Sequence, residues 1–294
     1  MLVSNLTHNL NRIYGLEEAI RLNAKAGFDA YDISLFALMG NEYPFAFKSE
    51  NYIEYAKEIR SLADSLGIVC NQSHAPLAHD NGDKKHDENT YNQIVKSLEI
   101  ASILGAKIAV IHPKQHLPYG VGNNAQILKE QNIEFYKSLV PYCEKHNIKV
   151  AVENMWQLDP QEEKYVVDST CSRPEEFCEY VDSIDSKWVV ACLDLGHAPI
   201  VGQDVPNMIK ALGSRLQALH VHDNNLIDDL HLQPYSGKMD FDAICKALKE
   251  INYTGDITFE CDGAIALKYP KELVDSSLTH LCNIGKHLRS KIID

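Results

Sequence analysis

Short apolar runs alternate with longer amphipathic stretches from one end of this 294-residue chain to the other. The runs predict eight strands, at Leu2–Ser4, Ala30–Ser34, Ile68–Ser73, Lys107–His112, Lys149–Glu153, Trp188–Asp194, Gln217–His222 and Asp256–Glu260. Apolar residues at helical spacing predict helices between them, at Leu16–Ala26, Asn51–Leu66, Asn89–Leu104, Ala125–Lys145, Pro174–Ile184, Val205–Leu212, Phe241–Ile251 and Pro270–Leu288. Gly27, Gly67, Gly105 and Gly213 each follow a helix, where a left-handed residue closes the last turn. Strands that alternate with helices pair in parallel and are covered by those helices. Eight such units in 294 residues fit a closed barrel, a layout that takes about 250 residues as one domain. No linker or shift of composition divides the chain, so residues 1–294 read as a single (β/α)8 barrel domain of the α/β class. The longest irregular region, Ala75–Glu88 (APLAHDNGDKKHDE), reads as an extended loop after the third strand.

In such a barrel the reactive groups sit at the carboxyl ends of the strands. The third strand ends in His74 and the fourth in His112. The fifth ends in Glu153, the sixth in Asp194 with His197 three residues on, the seventh in His220, His222 and Asp223, and the eighth in Glu260. One histidine at a strand end is ordinarily a solvated loop residue. A lone glutamate after apolar residues ordinarily finds a salt-bridge partner. Six consecutive strand ends of this kind need another account, because converging carboxylates in an apolar setting require compensating charge. Few basic residues lie nearby: Lys114 follows the fourth strand and Arg215 precedes the seventh. A divalent cation is the simpler partner. A mixed oxygen and nitrogen donor set suits Mn²⁺, Mg²⁺, Co²⁺ or Zn²⁺. Cys192 and Cys261 lie near these positions, but strand alternation leaves them beneath or away from the site, and they take no role. Asp229-Leu230-His231, in the loop after the seventh strand, reads equally well as a polar turn or as an acid–histidine pair at the barrel mouth.

Charge and cysteine content exclude other classes. With 41 acidic and 28 basic residues the formal net charge is −13, which repels nucleic-acid phosphates and anionic lipid. No run of about 18 apolar residues is present, so no membrane span is expected. Eight cysteines without a CxxC pair, several inside apolar runs, read as reduced buried thiols. The opening MLVSNLTHNLNRIYG shows neither a basic nor an apolar signal region, so a cytoplasmic protein is expected. Gly120-Val121-Gly122-Asn123-Asn124-Ala125 matches GxGxxA, but it does not directly follow a strand, and no acidic strand end lies about 20 residues on. It reads as a loop opening a helix, and no nucleotide cofactor is expected.

The segments HAP, IHP, VEN, LDLGH, LHVHDN, DLH…SGKMDF and the final FE, in that order, resemble the xylose isomerase-like TIM-barrel superfamily, the sugar phosphate isomerase/epimerase and AP endonuclease family 2 group. The resemblance spans nearly the whole chain. It implies one divalent ion held by Glu153, Asp194, His220 and Glu260, with Glu153 and Glu260 also the proton-transferring pair. It implies substrate contacts at His197, His74, His112, His222 and His231. It implies an isomerase or epimerase of a small sugar or sugar-like substrate. The endonuclease IV branch holds three zinc ions, and each of its nine ligands has a candidate here, adding His74, His112, His197, Asp229 and His231 as further metal ligands. A third branch chemistry is dehydration of a keto-inositol or sugar derivative. Ketose 3-epimerases of the group carry an arginine shortly after the seventh-strand histidines. Here the stretch is DNNLIDDLH, which argues against simple ketose 3-epimerization. An acidic or neutral mouth argues against DNA repair. The expected partners are therefore a small carbohydrate and, compatibly with the composition, further copies of the chain as a homo-oligomer. Nucleic acid and membranes are not expected.

Overall fold

A computed structural model describes residues 1–39, 45–78, 83–115, 124–159, 162, 165–261 and 269–293. Eight parallel strands form the sheet: β1 Val3–Leu6, β2 Ala30–Ser34, β3 Val69–His74, β4 Ile108–Ile111, β5 Lys149–Glu153, β6 Val189–Asp194, β7 Leu216–His220 and β8 Ile257–Phe259. They are ordered β8-β1-β2-β3-β4-β5-β6-β7. The ring closes beyond the end of β7, where Val221 N–H donates to Thr258 at 2.8 Å and Glu260 N–H donates to Val221 at 3.2 Å. The fold is thus the (β/α)8 barrel expected from the alternation.

Side-chain alternation sorts each strand into two sets. Outward residues join the helices in one large core, which includes Ile33, Ile111, Val150, Val152, Ala191, Leu193, Leu219 and Phe259. The inward set builds a separate small cluster of Val110, Ala151, Val190, Cys192 and Ala218. Continuing that inward parity by two residues gives His112, Glu153, Asp194 and His220. The apolar plug inside the barrel therefore forms the floor on which the polar residues stand, and Cys192 belongs to that floor.

Two irregularities adjust the parity. Tyr31 pairs with Cys70 but Asp32 with Gln72, so Asn71 is an extra residue of β3. Ala191 pairs with Leu216 but Cys192 with Ala218, so Gln217 is extra in β7. Such bulges re-aim the residues that follow them.

Several expectations need correction. The region Ala75–Glu88 is not loop throughout. A helix begins at Lys84 and runs to Leu104, because the Asp83 side chain caps it by accepting the His86 N–H at 2.8 Å. The helix expected at Pro270–Leu288 starts as a short 3₁₀ turn, Lys271–Leu273, and continues as α-helix over Val274–Ile293. A helix at His8–Tyr14 and an antiparallel hairpin of Trp156–Leu158 with Val166–Asp168 were not foreseen. Gly27, Gly67 and Gly105 take the left-handed conformation, whereas Gly213 opens a 3₁₀ turn. The GxGxxA match lies outside the described residues up to Asn123. None of the eight cysteines is joined in a disulfide. Among the described residues no helix is long and apolar enough to cross a membrane.

Candidate active site and metal centre

Glu153, Asp194, His220 and Glu260 leave the ends of β5, β6, β7 and β8 and converge at the carboxyl end of the barrel. One donor atom from each lies within 4.8 Å of the others. His220 Nδ1 is 3.0 Å from Glu153 Oε1 and 3.1 Å from Glu260 Oε2. All four side chains are buried, and even Glu260 is only 8% exposed. Three carboxylates packed this closely in a dry site repel one another unless a cation lies among them. The two basic residues singled out beside these strand ends in the sequence are engaged elsewhere. Lys114 Nζ lies over the Phe135 ring, and Arg215 pairs with Asp182 on the helical exterior. Three oxygen donors and one imidazole, converged and dry, fit a divalent ion.

Electrostatics carry the same tension. Burial pushes the Glu260 carboxyl up to about 8, against the pull of His220 and His231. Burial acts on Glu153 in the same sense, but the charges of His220 and His112 and hydrogen bonds from both overcome it and hold the carboxyl well below its usual range. Burial alone would lower His220. The neighbouring carboxylates reverse this and hold it well above an ordinary imidazole.

Two further groups flank this centre. On one side His74 Nε2 is 2.8 Å from His112 Nε2 and 3.6 Å from Glu153 Oε2, and His112 Nε2 is 3.0 Å from the same oxygen. Burial lowers His74 to about 4, so it is a neutral imidazole. On the other side His197, Asp229 and His231 meet. His197 Nδ1–H donates to the Asn154 carbonyl at 2.9 Å, and His231 Nδ1–H donates to the Glu260 carbonyl at 2.7 Å. A carbonyl only accepts, so these bonds fix both tautomers and turn both Nε2 atoms towards Asp229 Oδ2, at 3.5 and 3.2 Å. Despite burial, the nearby carboxylates raise His197 to about 10 and His231 to about 11.

His222 lies wholly buried. Its Nε2 is 2.9 and 3.1 Å from the two oxygens of Asp194, and its ring stacks on His231 at 4.1 Å. It holds Asp194 from behind. All the residues singled out at the strand ends and in the DLH segment are therefore gathered at one mouth.

The segments around them perform structural tasks that a single sequence does not announce. Asn154 accepts the Asp194 N–H at 2.7 Å and donates to the Asp194 carbonyl at 3.0 Å, locking β5 to β6 beside the site. Asp223 accepts from Asn224 N at 2.8 Å, Gly237 N at 2.8 Å and Met239 N at 3.1 Å, which ties the SGKM segment to the end of β7. A side chain on Gly237 would meet the Asn224 carbonyl at 2.3 Å, so this approach requires glycine. Trp156, on the unforeseen hairpin, donates Nε1–H to Asp229 at 3.2 Å. Phe36 packs on His74 with ring centroids 4.4 Å apart. Both aromatics add apolar walls to the polar mouth. The spacing of Trp156 three residues after Glu153 was the only available signal for it.

Comparisons with known proteins agree with this architecture. A family model described as "Xylose isomerase-like TIM barrel" matches residues 20–284. An uncharacterized protein of Methanocaldococcus jannaschii is 29% identical over 81% of this chain and 76% of its own length. The D-psicose 3-epimerase of Enterocloster bolteae is 25% identical over 80% of this chain and 72% of its own. A crystal structure of a D-tagatose 3-epimerase-like protein superposes with a TM-score of 0.75 at 23% identity, over 99% of this chain and 98% of that one.

Proposed function

The chain belongs to the xylose isomerase-like TIM-barrel family, and from that premise we propose that it is a divalent-metal-dependent isomerase or epimerase of a small carbohydrate. The observation that carries this reading is the buried quartet of Glu153, Asp194, His220 and Glu260, whose donor atoms share one 4.8 Å neighbourhood. The D-psicose 3-epimerase relative supports the substrate class. These four residues would hold the ion. When bound, a divalent ion supplies Lewis acidity that polarises a substrate carbonyl.

Glu153 and Glu260 come from β5 and β8, which are separated around the ring by β6 and β7. They flank a bound sugar from two sides. One carboxylate removes the proton from the carbon next to the carbonyl, and the C–H electrons form the enediolate double bond. The other, as the acid, returns a proton to that carbon or its neighbour. No electrons leave the substrate, so no redox partner is needed. His74, His112, His197 and His231 line the mouth as hydrogen-bond partners for hydroxyl groups. His222 supports Asp194. Phe36 and Trp156 offer apolar faces to the C–H sides of a sugar ring.

One observation favours a second reading. His197, His222, Asp229 and His231 form a further potential ligand group, and His74 with Glu153 and His220 another. Three occupied sites would suit a phosphodiesterase of the endonuclease IV kind. The −13 net charge weighs against a polyanionic DNA substrate.

The experiment is to screen ketoses, their phosphates and keto-inositols with Mn²⁺ in D₂O, following label by NMR, and to count metal equivalents per chain. The expected result is deuterium at the carbon next to the carbonyl, with turnover reduced by at least about 10²-fold in both Glu153→Gln and Glu260→Gln. Loss of water from the substrate would move the reaction to dehydration. Three equivalents of tightly held metal with incision of an abasic duplex would replace the isomerase reading. Full activity in both glutamine variants would remove the two-carboxylate mechanism.

A further inference from the structure

Asp32 is a wholly buried carboxylate in the middle of β2 that the proton-transfer scheme does not use. The bulge at Asn71 sets Asp32 directly beside Gln72, whose Nε2–H donates to Asp32 Oδ2 at 3.0 Å. That bond fixes the carboxylate. Its other oxygen, Oδ1, has no hydrogen-bond partner, although a buried carboxylate needs several.

Across the barrel interior stands a complementary vacancy. His220 Nδ1 sits between Glu153 and Glu260, so its Nε2 lies on the opposite edge of the ring. This Nε2 is buried and also without a hydrogen-bond partner. It is 3.8 Å from Asp32 Oδ2, the oxygen that accepts from Gln72, which is ion-pair range and longer than a hydrogen bond. A neutral imidazole carries one proton. Placed on Nδ1, the proton would occupy the edge that faces the metal-ligand oxygens, and a lone pair on Nε2 would face a carboxylate. Placed on Nε2, it faces Asp32, and the Nδ1 lone pair is free. Were a divalent ion held among those oxygens, Nδ1 would have to be unprotonated to ligate it, and the second arrangement is the one that allows this. A carboxylate behind a ligating histidine fixes its tautomer and raises its basicity.

We propose that Asp32 is a positioning residue of the metal centre, whose carboxylate faces Nε2 of His220 at ion-pair distance, favours the proton there and so leaves Nδ1 free to ligate an ion. This rests on the metal reading above, but its test separates the two. Mn²⁺ binding to the parent protein and to Asp32→Asn is measured by calorimetry, with thermal unfolding as the check on folding. The expected result is a folded variant whose Mn²⁺ affinity falls about 10–100-fold, the loss usual for a partner behind a metal ligand. Parent-like affinity in Asp32→Asn would overturn the role of Asp32 and leave the quartet intact. Absence of Mn²⁺ binding in both proteins would overturn the metal reading itself, and the role of Asp32 with it.

A second measurement needs no variant of Asp32. Long-range ¹H–¹⁵N spectra of the Zn²⁺-loaded parent report the tautomer of each histidine, and His220 is assigned by the signals missing in His220→Asn. A protonated Nε2 and a zinc-shifted Nδ1 are expected. A proton on Nδ1 would overturn the proposal whatever the behaviour of Asp32→Asn.

Discussion

Gly196→Ala provides a sharp test of how the site is built, because backbone reasoning alone predicts the opposite sign. Gly196 has φ −79° and ψ −29°, an ordinary helical conformation open to any residue. On that ground alanine would stabilise by about 0.4–1 kcal/mol through the unfolded chain. The surroundings reverse this. A Cβ there would lie 2.0 Å from His222 Cε1 and 2.5 Å from Nδ1. Reaching ordinary contact at 3.4 Å would require His222 to move by roughly 1.4 Å. The ring cannot yield cheaply, since it is bonded to both oxygens of Asp194 and stacked on His231. Overpacking costs about 1–3 kcal/mol. Loss of the charge-assisted bond to Asp194 adds about 1.5–3 kcal/mol. The net expectation is a loss of about 2–5 kcal/mol, or a Tm lower by about 4–10 °C at roughly 2 °C per kcal/mol for a chain of this size. Displacement of Asp194 should also weaken Mn²⁺ binding. Calorimetric unfolding of the parent, Gly196→Ala, His222→Ala and the double variant isolates the cause. Once the ring is removed, Gly196→Ala should become neutral or slightly stabilising. Equal destabilisation with and without His222, or no destabilisation in the parent, would refute the steric argument.

Two other outcomes follow from the same geometry. Asp223→Asn weakens a carboxylate that accepts from three backbone N–H groups, so stability should fall by about 2 kcal/mol while metal stoichiometry is unchanged; a parent-like Tm would show that the SGKM segment is held by other contacts. The metal-free protein should lose stability between pH 7 and pH 9.5. Glu260 at about 8, His197 at about 10 and His231 at about 11 are all raised above their unfolded values, so the folded state binds the extra protons and gives up that advantage as pH rises through this window. Mn²⁺ should accordingly raise Tm more at pH 9 than at pH 6, because it competes with fewer protons, and a metal-free Tm that rises across the window would contradict this.

The strand ends were legible because hydrophobic patterning is local. The residues of the metal-binding quartet each cap an apolar run whose alternation can be counted, as Ala151 to Glu153 or Cys192 to Asp194. Ala30–Ser34, Lys149–Glu153, Leu16–Ala26 and Pro174–Ile184 have the boundaries that patterning predicts. The start of the helix at Lys84 was missed because its residues are polar, and only the Asp83 cap marks it. The Trp156–Asp168 hairpin was missed because its strands are three residues each, too short for a period to register.

The sequence by itself thus determined the eightfold alternation and the inventory of acids and histidines at the mouth. Tertiary structure alone decided which atom of each residue faces which partner. His197 and His231 have their tautomers chosen by carbonyls of Asn154 and Glu260, which lie 43 and 29 residues away along the chain. His222, which shares the HVHD segment with His220, is turned to Asp194 at 2.9 and 3.1 Å, with Asp229 Oδ1 at 3.8 Å. Asp32 comes within 3.8 Å of His220 Nε2 only because β2 and β7 share one barrel interior. The physical reason is one of range. Burial follows from a period that repeats every two residues, whereas the direction of a hydrogen bond depends on atoms supplied by strands that meet only when the barrel closes.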